Sequence, residues 1–362
     1  MFRVRDVYFG IESGSPNIQK YTNKNLKLDL AQHNLNNVRR SDINYTCSFV
    51  VGFSEETSSD LNQTIDLALR CTGTNGTVQV NTVKPYAGSE LYSIFQGNIC
   101  FNDYSLMLDN TLDNDSLRLI KRHPSLFSAF YSMPSQFNIN ILNLFQVINS
   151  HDVLLKAIFS EFENPLTFFT HWHEWRVERN HQSSTPSTFK ELGVQCNAFI
   201  KHLIDKHYLK IEFTPDLLDY FNTSYDWEFD TLSSPDTASI PSFHDLSTQP
   251  RSWIPSVCSH VVIKEFNYDV SSLFDVIEND AVPASYPREK HWVAFIAARV
   301  GEETSIYTRE LDERSIRILN LADENKSIED IIHISSESTP SIIEILRLFA
   351  DCTIVEFRKN AQ

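Results

Sequence analysis

The sequence predicts an α/β chain in three parts joined by one connection. Residues 1–98 predict a parallel sheet with crossover helices, 99–230 a mainly helical region, and 257–362 a small α+β module. Three observations predict this. β-type runs alternate with helix-type segments in the first part, at the spacing of βα units. Apolar residues recur with helical period through the second. Residues 231–256, which run from TLSSPDTASIP to TQPRSWIPS, are rich in Ser, Pro, Thr and Asp, the composition of an exposed linker.

The first strand is RDVYFGIES. Its apolar β-formers Val7, Tyr8, Phe9 and Ile11 run into Gly, Glu and Ser, so polar groups arrive at the carboxyl end, where ligands of parallel sheets sit. Helix material follows from Ser15 to Asp42, and INYTCSFVVGF is the second strand. SEETSSDLNQTIDLALRC starts acidic and carries Leu61, Ile65, Leu67, Ala68 and Leu69, as an amphipathic helix does. GTVQVNTVKPY is the third strand, closed by a turn in PYAGSELY. Three βα units do not close a barrel, and an open parallel edge is an aggregation liability.

In the helical region, SLFSAFYSM, NILNLFQVINSHDVLLKAIFSEF, PLTFFTHWHEWRVERN and FKELGVQCNAFIKHLIDKHYL all have helical apolar spacing. The last part begins with two β-type runs, SHVVIKEFNYDV and HWVAFIAARV. It continues with LDERSIRILNLAD as a helix, IEDIIHI capped by Ser327 with Asp330, and STPSIIEILRLFAD capped at Ser338 or Thr339. CTIVEF closes it as a strand, and the whole predicts a winged-helix-like module.

Composition bounds the function. A net charge of −16 over 362 residues argues against nucleic acid as a bulk partner, because phosphate binding needs a basic face. No apolar run has the length of a membrane span, and the N-terminus has no secretory signal core, so the expected location is the cytoplasm. The six cysteines, Cys47, Cys71, Cys100, Cys196, Cys258 and Cys352, have no metal-knuckle spacing and are expected to be scattered thiols.

Three separated stretches, FGIESGSP, CSFVVGFSEETSSDL and VNTVKPYAGSELY, resemble in order and spacing the second half of the barrel of radical S-adenosylmethionine (SAM) enzymes. The closest likeness is to the subgroup with an N-terminal cobalamin-binding domain, whose usual pattern is GIESGS, then GFPGET, then PYPGTPLY. The resemblance covers about residues 5–95 and implies the last strands of a partial (β/α) barrel. It implies that Glu12, Ser13 and Ser15 approach the ribose and amino-acid part of SAM, and that Val51, Gly52 and Phe53 edge the adenine. Pro85, Tyr86 and Gly88 match the turn after the sixth barrel strand. Ser54 stands where the family has Pro and Glu55 where it has Gly, and a side chain at 55 is expected to crowd a tight turn.

The family binds a four-iron, four-sulfur cluster through a CxxxCxxC loop after the first strand. That loop is expected upstream of Val7, so about half a barrel and a cobalamin domain are expected to lie outside this chain. No metal ligand is assigned within it. Cleaving SAM requires the cluster iron, so the chain is expected to be inactive alone. The resemblance implies radical methylation or other modification of a small molecule or peptide, with a partner chain or upstream segment supplying the cluster. The alternatives are a non-catalytic scaffold derived from such an enzyme, or one half of a split enzyme.

The remaining clusters read as structural. In HWHEWRVERN, His171 and His173 point apart on a helix, and Trp172 and Trp175 read as packing anchors. His202 and His207 fit a solvated face. Arg288, Glu289, Lys290 and His291 read as a charged turn before a strand, and Glu302, Glu303 and the acidic run Glu310 to Glu313 as solvated surface.

Overall fold

The computed structural model describes residues 4–41, 43–73, 75–102, 112–179, 189–229, 240–278, 282–300, 303–322, 325–335 and 337–360. The chain is a mixed α/β protein that divides into two compact units. One comprises residues 1–214 with 274–284, the other 215–273 with 285–362.

The first unit opens with β1 (Asp6–Glu12), α1 (Pro16–Tyr21), α2 (Leu28–Arg39), β2 (Asn44–Val51), α3 (Ser58–Arg70) and β3 (Gly76–Thr82). β1 pairs with β2 and β2 with β3, all parallel and in chain order. α3 begins where Thr57 and Asp60 form a capping box, and it buries Leu61, Ile65 and Ala68. Successive crossovers of one hand place their helices on one side of a parallel sheet.

The strands alternate accordingly. Tyr45, Cys47, Phe49, Val51, Val78 and Val80 are buried on the helix side. There Arg39, at the end of α2, donates to the Tyr45 hydroxyl at 2.9 Å and to the Thr72 carbonyl at 2.7 Å. The other face is polar: Tyr8 donates to Gln79 Oε1 at 3.2 Å, and Thr46 and Thr77 share a hydrogen bond of 2.9 Å. Toward the carboxyl ends this face is partly covered, since Val50 packs on a small cluster of Ile18, Phe53, Val83 and Met133.

After β3 come α4 (Glu90–Phe95), β4 (Cys100–Phe101), α5 (Asn114–Arg122), β5 (Tyr131–Ser132), α6 (Ile139–Leu144), α7 (Ile148–Phe159), α8 (Pro165–Glu178) and α9 (Phe189–Asp205). The outer edge of β3 is closed by this layer: Asn149 of α7 accepts the Val80 N–H at 2.8 Å. The helices pack around aromatic rings. Phe145 lies 4.3 Å from Phe169 between ring centroids, and Trp172 stacks on Phe199. Trp172 is fully buried and Trp175 nearly so, as packing anchors should be. His202 lies against the Trp175 ring rather than on a solvated face, while His207 is exposed.

SLFSAFYSM does not form the expected helix. It makes a 3-10 turn at Ser128–Phe130 and then β5, paired antiparallel with β4. Pro134 follows at once and disfavours helical backbone at Met133.

The second unit contains α10 (Thr214–Phe229), α11 (Phe243–Thr248), β6 (Trp253–Val257), β7 (Val261–Tyr268), the start of α12 (Val270–Glu278), whose residues from 274 on belong to the first unit, then β8 (Arg288–Val300), β9 (Glu303–Leu311), α13 (Glu313–Leu319), α14 (Ile328–Ser335), α15 (Thr339–Asp351) and β10 (Val355–Lys359). Two elements thus fall inside the expected linker. Ser242 and Asp245 form a capping box that starts α11, and β6 pairs antiparallel with β10. Residues 231–239 of that linker, with 103–111, 180–188 and 230 of the expected helical region, lie outside the described residues, as do 301–302 with Glu302.

β7, β8 and β9 form an antiparallel meander. One face of it carries Val261, Ala294, Ile296 and Leu311 into a core with Ile318, Ile331, Ile343 and Leu346. The other carries Phe266, Val293 and Phe295 into a second cluster with Val270. Arg288 to His291 lie within β8, not in a turn before it, because the antiparallel pairing continues to Tyr268 opposite Arg288.

Truncating Trp172 to Ala is expected to lower the unfolding free energy by about 3–5 kcal/mol, the usual loss for a buried aromatic. Val177→Ala, on the exposed side of the same helix, is expected to stay within about 0.5 kcal/mol. Urea titration followed by circular dichroism distinguishes them.

Candidate functional site

The carboxyl ends of the three parallel strands are where the sheet exposes main-chain dipoles and where ligands of such sheets bind. Each strand delivers one ionisable group there. β1 ends in a bulge at Glu12, whose φ is +68°, and the pairing register shifts between Gly10 and Glu12. Lys24 Nζ meets Glu12 Oε1 at 2.9 Å. This pair folds back over Gly10: a Cβ there would stand 2.8 Å from Glu12 Oε1 and 3.1 Å from Lys24 Nζ. Gly10 shares its face with Tyr8, so the pair lies on the polar side of the sheet.

Ser13 and Ser15 turn the other way. Both are fully buried and their hydroxyls are committed to α3. Ser13 Oγ bonds Thr64 Oγ1 at 2.8 Å, and Thr64 Oγ1 also accepts the Gly14 N–H at 3.1 Å. Ser15 donates to Asp60 Oδ1 and accepts the N–H groups of Asn17 and Ile18, so it caps α1. Gly14 permits this close approach, since a Cβ would stand 2.3 Å from the Gln63 carbonyl oxygen. Burial opposes the charge on Asp60, but hydrogen bonds from Ser15, Thr57 and Asn17 prevail and hold its carboxyl below the usual range.

β2 ends in the turn Gly52–Thr57. Val51 and Phe53 are buried, and Gly52 adopts a φ of +93°, which suits glycine. Its N–H donates to Glu56 Oε2 at 2.6 Å, and Gln136 Nε2 donates to the Glu56 carbonyl. Glu56 is fully buried, and its Oε1 has no hydrogen-bond partner. Burial pushes its carboxyl up to about 7 against the opposing Gly52 hydrogen bond. The expected crowding at Glu55 does not arise: the side chain is exposed and its φ is not positive.

Past β3, Lys84 lies largely out of water, and desolvation lowers its ammonium to about 8. Pro85 is buried, Tyr86 is 60% exposed, and Gly88 turns with a φ of +86°. Ser128 accepts the Ala87 N–H at 2.8 Å and pins this turn.

The structure therefore brings Glu12 to the polar face and Gly52 and Phe53 to the strand ends, and it spends Ser13 and Ser15 on the scaffold. Sequence reasoning passed over Lys24, Glu56 and Lys84. For Glu56 and Lys84 the signal was an acidic or basic side chain shortly after an apolar strand, but that pattern does not say whether the chain turns the group inward; Lys24, which follows α1, carried no such signal.

All six cysteines are free; Cys47, Cys71, Cys196 and Cys258 are buried, Cys100 is exposed and Cys352 half-buried. Among the described residues no three cysteines converge on one point. These thiols thus do not fit the three-cysteine ligation of an iron–sulfur cluster. Among the described residues no helix is long and apolar enough to cross a membrane. No family model matches the chain, and no curated protein matches it.

The buried Glu56 makes stability depend on pH in a defined direction. Its carboxyl titrates near 4.5 when unfolded and about 7 when folded, so the folded state holds the extra proton between these values. Its contribution to stability is therefore lost as pH rises from about 4.5 through 7. Glu56→Gln keeps an acceptor for Gly52 and is expected to stabilise the protein at pH 8 by about 2–3 kcal/mol, with no gain at pH 4. Urea midpoints across that range measure it.

Proposed function

We propose that the first unit is one wall of a SAM-binding (β/α) barrel of the radical SAM type, whose cluster is supplied by polypeptide outside these residues. The observation that carries the reading is the one-sided parallel sheet. Parallel sheets are ordinarily buried on both faces. This one has apolar side chains along the whole of one face, and Tyr8, Thr46, Thr77 and Gln79 on the other, which is covered only toward the carboxyl ends of the strands. One edge is closed by Asn149, whereas β1 is, among the described residues, an edge with no further strand. Such a sheet fits the inner wall of a barrel whose remaining strands continue from β1.

In this reading the chain's own residues bind and orient SAM and do not cleave it. Glu12, held by Lys24, is the acceptor for ribose hydroxyls or the SAM ammonium. The Gly52–Phe53 backbone edges the adenine. Ser13 and Ser15 serve by locking the strand end against α3. The cluster, when bound in the complete assembly, supplies the electron that cleaves SAM. The substrate is a small molecule or a peptide, modified at an unactivated carbon, with cobalamin as the methyl carrier if the polypeptide that supplies the cluster also holds it.

A second reading, a non-catalytic scaffold with the same ancestry, is favoured by the internal commitment of the Ser13 and Ser15 hydroxyls. Isolation of the native protein from its own cells without oxygen separates the two. The enzyme reading expects a mass above 41.7 kDa, or a co-purifying chain, with bound iron and SAM. In that assembly Glu12→Ala is expected to weaken SAM binding about tenfold. Ser13→Ala is expected to lower stability by about 1–2 kcal/mol while its SAM affinity holds. A lone 41.7 kDa species free of iron and indifferent to SAM leaves the scaffold reading standing.

A further inference from the structure

The second unit gathers ionisable side chains at a place unrelated to the strand ends described above. Asp269 follows β7, His291 lies on the central strand β8, and Glu310 lies on β9. Their donor atoms all fall within 4.8 Å of one another. His291 Nε2 is 3.6 Å from Asp269 Oδ1 and 4.0 Å from Glu310 Oε1.

These separations are too long for hydrogen bonds. His291 Nε2 is indeed buried and makes none, although it faces two carboxylates. A buried ring nitrogen without a hydrogen bond is costly to keep. Two ligands on one tetrahedral ion with bonds of about 2.0–2.1 Å stand roughly 3.4 Å apart. The gaps around His291 thus match the span of two metal–ligand bonds better than that of one hydrogen bond.

The surroundings fit the same chemistry. The three ligands stand on or next to neighbouring strands of one antiparallel sheet, a rigid support for a site. Asp269 Oδ1 accepts the Ser272 N–H at 3.0 Å, a contact that orients the carboxylate. Phe266 is paired with His291 across the ladder, and Val293 is paired with Glu310; both are buried, so one side of the site is apolar. The neighbouring cation Lys290 is engaged with Glu265 at 2.6 Å and does not compete for Glu310. Glu310 is 58% exposed, which leaves an entry path and room for water.

We propose that Asp269, His291 and Glu310 bind a divalent transition-metal ion, with zinc the best match to one imidazole and two carboxylates. The imidazole disfavours calcium and magnesium, which take oxygen ligands. Two carboxylates neutralise the ion, and three protein ligands leave a fourth position for water or an anionic group of a ligand.

The test is a zinc titration of the full chain, stripped of metal, in competition with a chromophoric chelator. One equivalent is expected to bind, and His291→Ala to weaken that binding about 100-fold or more. Glu310→Gln, at an exposed position that leaves folding intact, is expected to weaken it about tenfold or more. X-ray absorption at the zinc edge is expected to show nitrogen and oxygen ligands without sulfur, which sets this site apart from the six thiols. Glu265→Gln is expected to change nothing in the titration. Absence of zinc binding tighter than about 10 μM (about 7 kcal/mol) overturns the proposal. So does binding that persists unchanged in both His291→Ala and Glu310→Gln, and in either case His291 is only an ion-pair partner of the two carboxylates.

Discussion

A buried knot of hydrogen bonds between the end of β1 and the helix α3 is the interaction on which the first unit depends. Ser13 and Thr64 share one bond, Ser15 holds Asp60, and Asp60 also closes the capping box of α3 through Thr57. Ser13, Ser15, Asp60 and Thr64 are buried, and an unpaired one costs more than a typical hydrogen bond contributes, so these four hold together or fail together. The knot fixes where β1 stops, and thereby where the Glu12 bulge begins. With the hydroxyls drawn to the helix side, the Glu12 carboxylate is left on the polar side with Lys24.

That division of labour explains how so little of the strand end is free to meet a ligand. Two of the three polar residues at this end stabilise the scaffold, and the third is held by a cation 2.9 Å away. Half-exposed pairs of this kind contribute little to stability. Their value lies in holding a charge in one place. The buried Glu56 carboxyl, by contrast, weakens the fold when ionised. A costly buried acid beside a turn that begins with a left-handed glycine is a feature of sites more than of scaffolds.

The two units solve the burial of a sheet differently. The antiparallel meander of the second unit carries apolar side chains on both faces and is covered on both. The parallel sheet of the first is apolar along one face and, except toward its carboxyl ends, polar on the other. In the meander the polar groups are therefore displaced to the ends of strands, where Asp269, His291 and Glu310 meet. In the parallel sheet they occupy the open face itself.

The sequence by itself determined the strands and most helices, because period-2 and period-3.6 apolar patterns are local properties. It determined that the strands of the first part lie parallel, since strands alternate there with helices at βα spacing. It also determined the aromatic packing of Trp172 and Trp175. It misread SLFSAFYSM, where a proline one residue later outweighs a helical pattern, and residues 240–256, where polar composition conceals a capping box and most of a strand whose partner lies about a hundred positions away. Only the tertiary structure decided which hydroxyls are spent, because Thr64 and Asp60 reach Ser13 and Ser15 across some fifty and forty-five positions. Only it converted a charged run at 288–291 and an acidic run at 310–313 into neighbours of Asp269. Local pattern says that a side chain is polar; which polar groups meet is set by strand pairing, and strand pairing joins residues that the sequence keeps far apart.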